Sequence, residues 1–348
     1  MAFLNSNLID PHWLQFPQPS ENSYLALTIC YLIIFIVGVS GNGLVILTFT
    51  RCKSLRTGAN VLIGNLAISD SLMLIKMPLF IYNGFQRGPA LGNLWCQIYG
   101  FVGGLSGTAS IVCLTTIAFD RYQAVKFPLK SLTKKKTIFY LLIPWIYGLA
   151  FSLPPLLGLH GYQYEGYLIS CSFAYLSQNS SIKIYIFVFA FAAFVVPLCV
   201  ISFSYINILQ VVGDRATALT GNQEGFVRHM KEEQKRKQDT KLALVVFSTI
   251  CLWFLAWTPY AIVALLGVTG QKHLLTPTAS MIPAVFCKTA SALDPYVYAI
   301  THPKFQWELR RSRRRIQYYL GVSTGIGPRI KAELQTNEGV VEIENITF

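Results

Sequence analysis

The chain has 348 residues, of which 53% are hydrophobic and 13% charged, and its net charge is +13. Soluble globular domains carry about 25% charged residues, and a mean hydropathy of +0.45 leaves too little polar surface for a water-soluble domain of this size. A cytosolic enzyme, a nucleic-acid binder and a disordered scaffold are therefore disfavoured, and one all-α unit embedded in a lipid bilayer is expected. Eight cysteines over this length do not make a disulfide-built scaffold.

A helix of ~20 apolar residues crosses the ~30 Å hydrocarbon core of a bilayer. In chain order such stretches fall at 24–50, 60–82, 97–120, 137–158, 184–208, 242–267 and 277–300. They predict an extracellular N-terminus over 1–23 and a seven-transmembrane helix bundle over 24–302. Pro78, Pro144, Pro154, Pro155, Pro197, Pro259, Pro283 and Pro295 fall within the stretches, which a membrane bundle tolerates because neighbours and waters satisfy the freed backbone groups. The ~10-residue alternating segments of a transmembrane barrel are absent.

Orientation follows from the basic residues. Residues 1–50 contain no Lys or Arg. Arg51, Lys53 and Arg56 follow the first stretch; Lys126, Lys130 and Lys134–Lys136 follow the third. Lys231, Lys235, Arg236, Lys237 and Lys241 precede the sixth, and Arg310, Arg311 and Arg313–Arg315 follow the seventh. The alternate loops hold only Arg87, Lys183 and Lys272. The positive-inside rule puts the N-terminus outside and the C-terminus in the cytoplasm, and the charged face also attracts anionic lipid. The first apolar stretch is too long, and too poor in basic residues at its start, for a cleavable signal peptide. The sequon at Asn179 then lies outside and is a glycosylation candidate, whereas that at Asn345 lies inside. Residues 303–318 read as a basic amphipathic helix on the inner membrane surface, followed by a cytoplasmic tail, 319–348.

Ionisable groups deep in a membrane are costly, so each is a functional candidate. They are Asp70 and Lys76 in the second stretch and Lys288 and Asp294 in the seventh, with Asp120 and Arg121 at the inner end of the third. Burial disfavours the charged form of Lys288 and leaves an amine able to form a Schiff base with a carbonyl compound. On charge chemistry alone, a lysine paired with a carboxylate explains the residue equally well.

Five motifs occur in register: Gly41-Asn42, Leu66-Ala67-Ile68-Ser69-Asp70, Asp120-Arg121-Tyr122, Ala256-Trp257-Thr258-Pro259-Tyr260 and Asp294-Pro295-Tyr296-Val297-Tyr298. Together they resemble the rhodopsin-like G-protein-coupled receptors over ~24–318. Ala256 replaces the usual Cys, and Asp294 the usual Asn. Lys288, six residues before Asp294, stands where opsins carry the retinal-binding lysine. Pro78-Leu79-Phe80-Ile81-Tyr82-Asn83, Gly88-Pro89-Ala90-Leu91-Gly92 and His302-Pro303-Lys304 are similar to arthropod visual opsins of the rhabdomeric type.

The resemblance implies 11-cis-retinal or 3-hydroxyretinal on Lys288 and a disulfide between Cys96 and Cys171. Tyr99 stands where vertebrate visual opsins place their counterion glutamate, so Glu165 takes that role; a solvated loop carboxylate is the alternative. Lys76 matches the lysine of insect ultraviolet opsins. A second positive charge disfavours protonation of the Schiff base, although a lysine snorkelling outward fits the sequence as well. Trp257 packs on the ligand with Tyr260 near by, and Gly107 and Ala284 leave room. Asp70 and Asp294 hold water or sodium. Arg121, preceded by Asp120, pairs with Asp239 to keep the bundle closed, and Tyr205 and Tyr298 stabilise the open form; a solvated charge is the alternative for Asp239. The implied partners are a heterotrimeric G protein of the Gq class and arrestin, at the plasma membrane of a photoreceptor rhabdomere. A retinal photoisomerase and a receptor for a diffusible ligand remain as other readings of the same residues.

Overall fold

The computed structural model describes residues 8–52, 57–127, 132–159, 161–216, 226–301 and 310. The expected surface helix 303–318 apart from residue 310, the tail with Asn345, and the side chains of Asp239 and Tyr298 lie outside the described residues. The chain divides into two units, Met1–Thr301 and His302–Phe348, and the bundle belongs to the first.

Capping residues fix several helix starts. Ser20, Thr57, Thr133 and Asn179 each accept a backbone N–H from the first turn of α2 (Glu21–Arg51), α3 (Gly58–Ile75), α6 (Lys134–Ser152) and α7 (Ser180–Ala190), satisfying donors with no partner inside the helix. Prolines shape the rest. Pro78 has no N–H to give, and the second rod breaks at Lys76 into α3 and α4 (Met77–Phe85). Pro154 and Pro155 end α6 at Ser152, short of the expected 158. Ahead of Pro197 the fifth rod widens into a π turn, Phe191–Val195, between α7 and α8 (Val196–Ala216). A short α1 (Pro11–Leu14) precedes these helices, and α5 (Gly92–Lys126), α9 (Phe226–Val268) and α10 (Pro277–Thr301) complete the set. The sixth rod starts at Phe226, well before the expected 242.

Seven helical rods result among the described residues. Five are long and apolar enough to cross a membrane on length and composition alone. The other two, α6 and α10, are diluted by Lys134–Lys136 and by Lys288 and Asp294. Ile36, Ile146, Leu209 and Leu255 point outward and are largely exposed. Apolar patches spread this widely over the surface suit lipid rather than water.

Helix α5 is the axis, packed against α3, α6, α8 and α9. Its Ile111, Leu114 and Ile117 join Leu66, Ile201, Val246 and Trp253 in one buried cluster. A second cluster gathers Tyr31, Met77, Phe80, Tyr162, Tyr164 and Met281 at the other end. Over that end lies an antiparallel hairpin, β1 (Tyr162–Glu165) and β2 (Ser170–Phe173), with Tyr164 opposite Cys171 and Glu165 opposite Ser170. Its turn holds Gly166 at φ 53°, a conformation suited to glycine.

The N-terminal segment is more than a leader to the first helix. Tyr164 N donates to Leu8 O at 2.9 Å, and Ile9 bridges Tyr164 in parallel. Trp13 is buried against Tyr175, Val263 and Leu275. His12 Nε2 lies 2.8 Å from Leu275 O, and Lys272 pairs with Asp10 at 3.5 Å. Segment and hairpin together cap the bundle.

Candidate functional site

Beneath the cap is a cavity of about 120 Å³. A single water needs roughly 10–15 Å³ by this measure, so the space suits a larger ligand. The walls are mostly apolar: Met73, Ile111, Ile186, Phe189, Phe194 and Trp253 contribute, with Gly100, Gly103, Gly104 and Gly107 along one side of α5. Among the charged lining residues are Lys76, Glu165 and Lys288, all three buried.

Lys288 projects from α10, with Nζ 5.6 Å from the centroid of the Tyr260 ring. Its neighbour Cys287 also lines the cavity and donates its thiol to Ala284 O at 3.2 Å. Lys76 enters from the break between α3 and α4. Its Nζ donates to Tyr99 O at 3.4 Å and sits 4.1 Å from the Tyr99 ring centroid, a cation–π distance. The amine is buried in the bundle and does not reach the surface.

Glu165 reaches the cavity because the hairpin crosses the bundle there. The disulfide between Cys96 at the start of α5 and Cys171 in β2 ties the hairpin down. Glu165 accepts hydrogen bonds from Ser170 Oγ at 3.2 Å, Tyr175 Oη at 3.2 Å and Tyr260 Oη at 2.8 Å. Tyr260 also bonds Ser172 Oγ. Burial, reinforced by the Glu165 charge, pushes the Tyr175 phenol well above its usual range, so it stays a donor. Glu165 is therefore a held carboxylate rather than a solvated one.

The remaining expected residues divide by position. Tyr99, Gly107, Trp257 and Tyr260 line the cavity. A Cβ on Gly107 would lie 2.7 Å from the Trp257 ring, so the glycine admits that indole. Trp257 stacks on Trp253, with centroids 5.3 Å apart. Ala284 is buried but is not among the lining residues; its carbonyl accepts from Tyr31 Oη at 3.4 Å. Asp70 and Asp294 flank a small separate gap with Asn42 and Pro295. Ser110 Oγ donates to Asp70 at 3.1 Å, while Asp70 Oδ2 and both Asp294 oxygens are buried without a hydrogen bond. At the end of the bundle away from the hairpin, Arg121 pairs with Asp120, and Tyr205 Oη donates to Ala243 O at 2.7 Å. Asn179 is exposed at the start of α7.

Sequence reasoning missed Ser170, Ser172, Tyr175 and Gly103. The two serines carried a signal, since they flank Cys171 with the period of two that a strand imposes. Nothing in the sequence singles out Tyr175.

Seven rods closing over a lysine-bearing cavity, with a disulfide-tied hairpin as its roof, define a membrane receptor of a particular class. The model of the family described as 7 transmembrane receptor (rhodopsin family) matches residues 41–298. The chain is 37% identical over 309 residues to "Opsin, ultraviolet-sensitive" of Apis mellifera, covering 87% of this chain and 83% of that one. It is 35% identical over 336 residues to Opsin Rh4 of Drosophila melanogaster, covering 95% and 88%. The crystal structure of squid rhodopsin is similar with a TM-score of 0.85, covering 96% of both chains at 28% identity. The chain belongs to the rhodopsin family of seven-transmembrane receptors. Within it, the chain falls among the opsins, with insect visual opsins as its relatives.

Proposed function

We propose that this opsin is a light-sensing receptor that carries retinal as a Schiff base on Lys288, absorbs in the ultraviolet in the dark, and activates a G protein of the Gq class. The observation that carries the reading is the charge inventory of one cavity: two amines, Lys288 and Lys76, and one carboxylate, Glu165. The apolar walls fit a polyene, and the Lys288 amine fits its aldehyde. When bound, retinal supplies light absorption and a change of shape on isomerisation.

The chain's own groups set the charge state. A buried cation needs an anion, and Glu165 can balance only one. With Lys76 charged beside Tyr99, a second positive charge at Lys288 goes uncompensated, so the linkage at 288 stays neutral and absorbs at short wavelength. The printed description of the Apis relative as ultraviolet-sensitive supports this reading. Trp257 and Tyr260 bring α9 to the cavity wall, so altered contacts there bias the bundle between two states. Arg121 and Tyr205 stand at the inner end, where opening admits a helix of the G-protein α subunit. Arrestin is the second partner of that face. The N-terminus and hairpin face outward at the plasma membrane.

The test is to add 11-cis-retinal, and separately 3-hydroxyretinal, to the expressed receptor and to record spectra in the dark and after ultraviolet light. A near-ultraviolet band is expected, absent in Lys288→Ala and moved into the visible by Lys76→Gly or Lys76→Glu. Light-dependent nucleotide exchange on a Gq-class protein is expected with it. A wild-type spectrum matching that of Lys288→Ala overturns the reading.

A further inference from the structure

Lys76 ends a long, flexible side chain, yet its nitrogen occupies one defined place. The facing helix α5 creates that place. An ideal Cβ on Gly103 would lie 2.1 Å from Lys76 Nζ and 3.3 Å from Cε. The first distance is well inside the 3.0 Å that real Cβ atoms essentially never show. The ammonium thus fills the volume that any other residue at 103 would take.

The anchor is one turn away. Tyr99 O accepts from Nζ at 3.4 Å, and the Tyr99 ring lies 4.1 Å from it. In a helix each Cβ leans toward the N-terminus, over the preceding turn, so a side chain at 103 would cover the Tyr99 carbonyl. The Lys76 backbone is set in turn by the break between α3 and α4. Gly103, Lys76 and Lys288 all line the same cavity.

We propose that Gly103 is a specificity-determining position: the missing side chain seats the Lys76 ammonium against Tyr99 and so fixes where the second positive charge lies relative to Lys288. The consequence for colour rests on the retinal reading given above; the seating itself does not. Because the clashing atom is the free end of a flexible chain, Gly103→Ala displaces the ammonium and spares the helix. Gly103→Val displaces it further.

Two measurements test this on the full chain. In retinal-free receptor, trace acetylation followed by mass spectrometry reads the reactivity of each lysine. Lys76 is expected to react several-fold faster in Gly103→Ala and Gly103→Val than in wild type, with Lys288 unchanged; equal Lys76 rates in all three overturn the proposal. With 11-cis-retinal bound, Gly103→Ala is expected to shift the dark band in the wild-type background and to leave it unmoved in Lys76→Met. An equal shift in both backgrounds means that residue 103 acts on the ligand directly, which also overturns it. A wild-type receptor that forms no retinal band defeats the retinal reading alone, while the acetylation rates still decide the seating.

Discussion

Glu165 is the residue on which the polar side of the cavity depends. It is 3% exposed and takes three hydroxyl donors, from Ser170, Tyr175 and Tyr260. An isolated buried carboxylate is costly, and these donors replace the lost water. Glu165→Gln keeps the size, removes the charge and leaves one acceptor oxygen for three hydroxyls. At ~1–3 kcal/mol for each stranded polar group, the retinal-free receptor is expected to melt at lower temperature in a thermal-shift assay. The charge has its own readout. Lys76→Gly leaves one cation, balanced by Glu165, and is expected to absorb in the visible. Adding Glu165→Gln to Lys76→Gly removes that balance, so the band is expected to return toward the ultraviolet at neutral pH. A visible band that persists unchanged in the double variant removes Glu165 as counterion.

At the scale of elements, the hairpin roofs the cavity and is tied to α5 by one disulfide. Cys96 and Cys171 are 75 residues apart in sequence, and closing a loop of that length is worth roughly 4 kcal/mol on the chain-entropy account. Cys171→Ser is expected to lower the yield of folded receptor and to let hydroxylamine bleach the surviving pigment several-fold faster. Cys96→Ser and the double variant are expected to match it, because either change breaks the same link. Bleaching rates equal to wild type would separate the hairpin from any role as a lid. The seven rods were legible because ~20 apolar residues in a row have few other uses, and Lys76, Lys288 and Asp70 were legible because charge inside an apolar helix is expensive. The hairpin was not, since each strand has only four residues and the pairing of Ile9 with Tyr164 spans most of the first half of the chain. His12 reaching Leu275 is a contact of the same kind. Gly103 was illegible for another reason: the meaning of a missing side chain lies wholly in what faces it, here Lys76 from a different helix. Pro154 and Pro155 mark an earlier end for the fourth stretch, because neither has an N–H to continue the helical ladder beyond Leu153.

At the scale of the whole molecule, the net charge of +13 bears on how the bundle is oriented. Arg51 closes α2, Lys126 closes α5 and Lys134 opens α6, and successive rods bring these to the end away from the hairpin. By the positive-inside rule the hairpin, α1 and Asn179 are expected outside. Asn179 offers a clean readout of this topology. Its side chain is exposed and caps α7 by accepting from Ser181 N at 2.9 Å. Capping uses the side-chain oxygen and a glycan is attached to the nitrogen, so the two uses do not compete. Receptor from a eukaryotic host is expected to lose mass on glycosidase treatment, and Asn179→Gln is expected to abolish that loss without unfolding the bundle, at a cap cost of ~1 kcal/mol. Asn345→Gln is expected to change nothing, because the positive-inside rule assigns that sequon to the cytoplasmic side. A mass shift that survives Asn179→Gln and disappears with Asn345→Gln would turn the bundle over. The basic end would then face outward, and the G-protein face proposed around Arg121 would have no access to its partner.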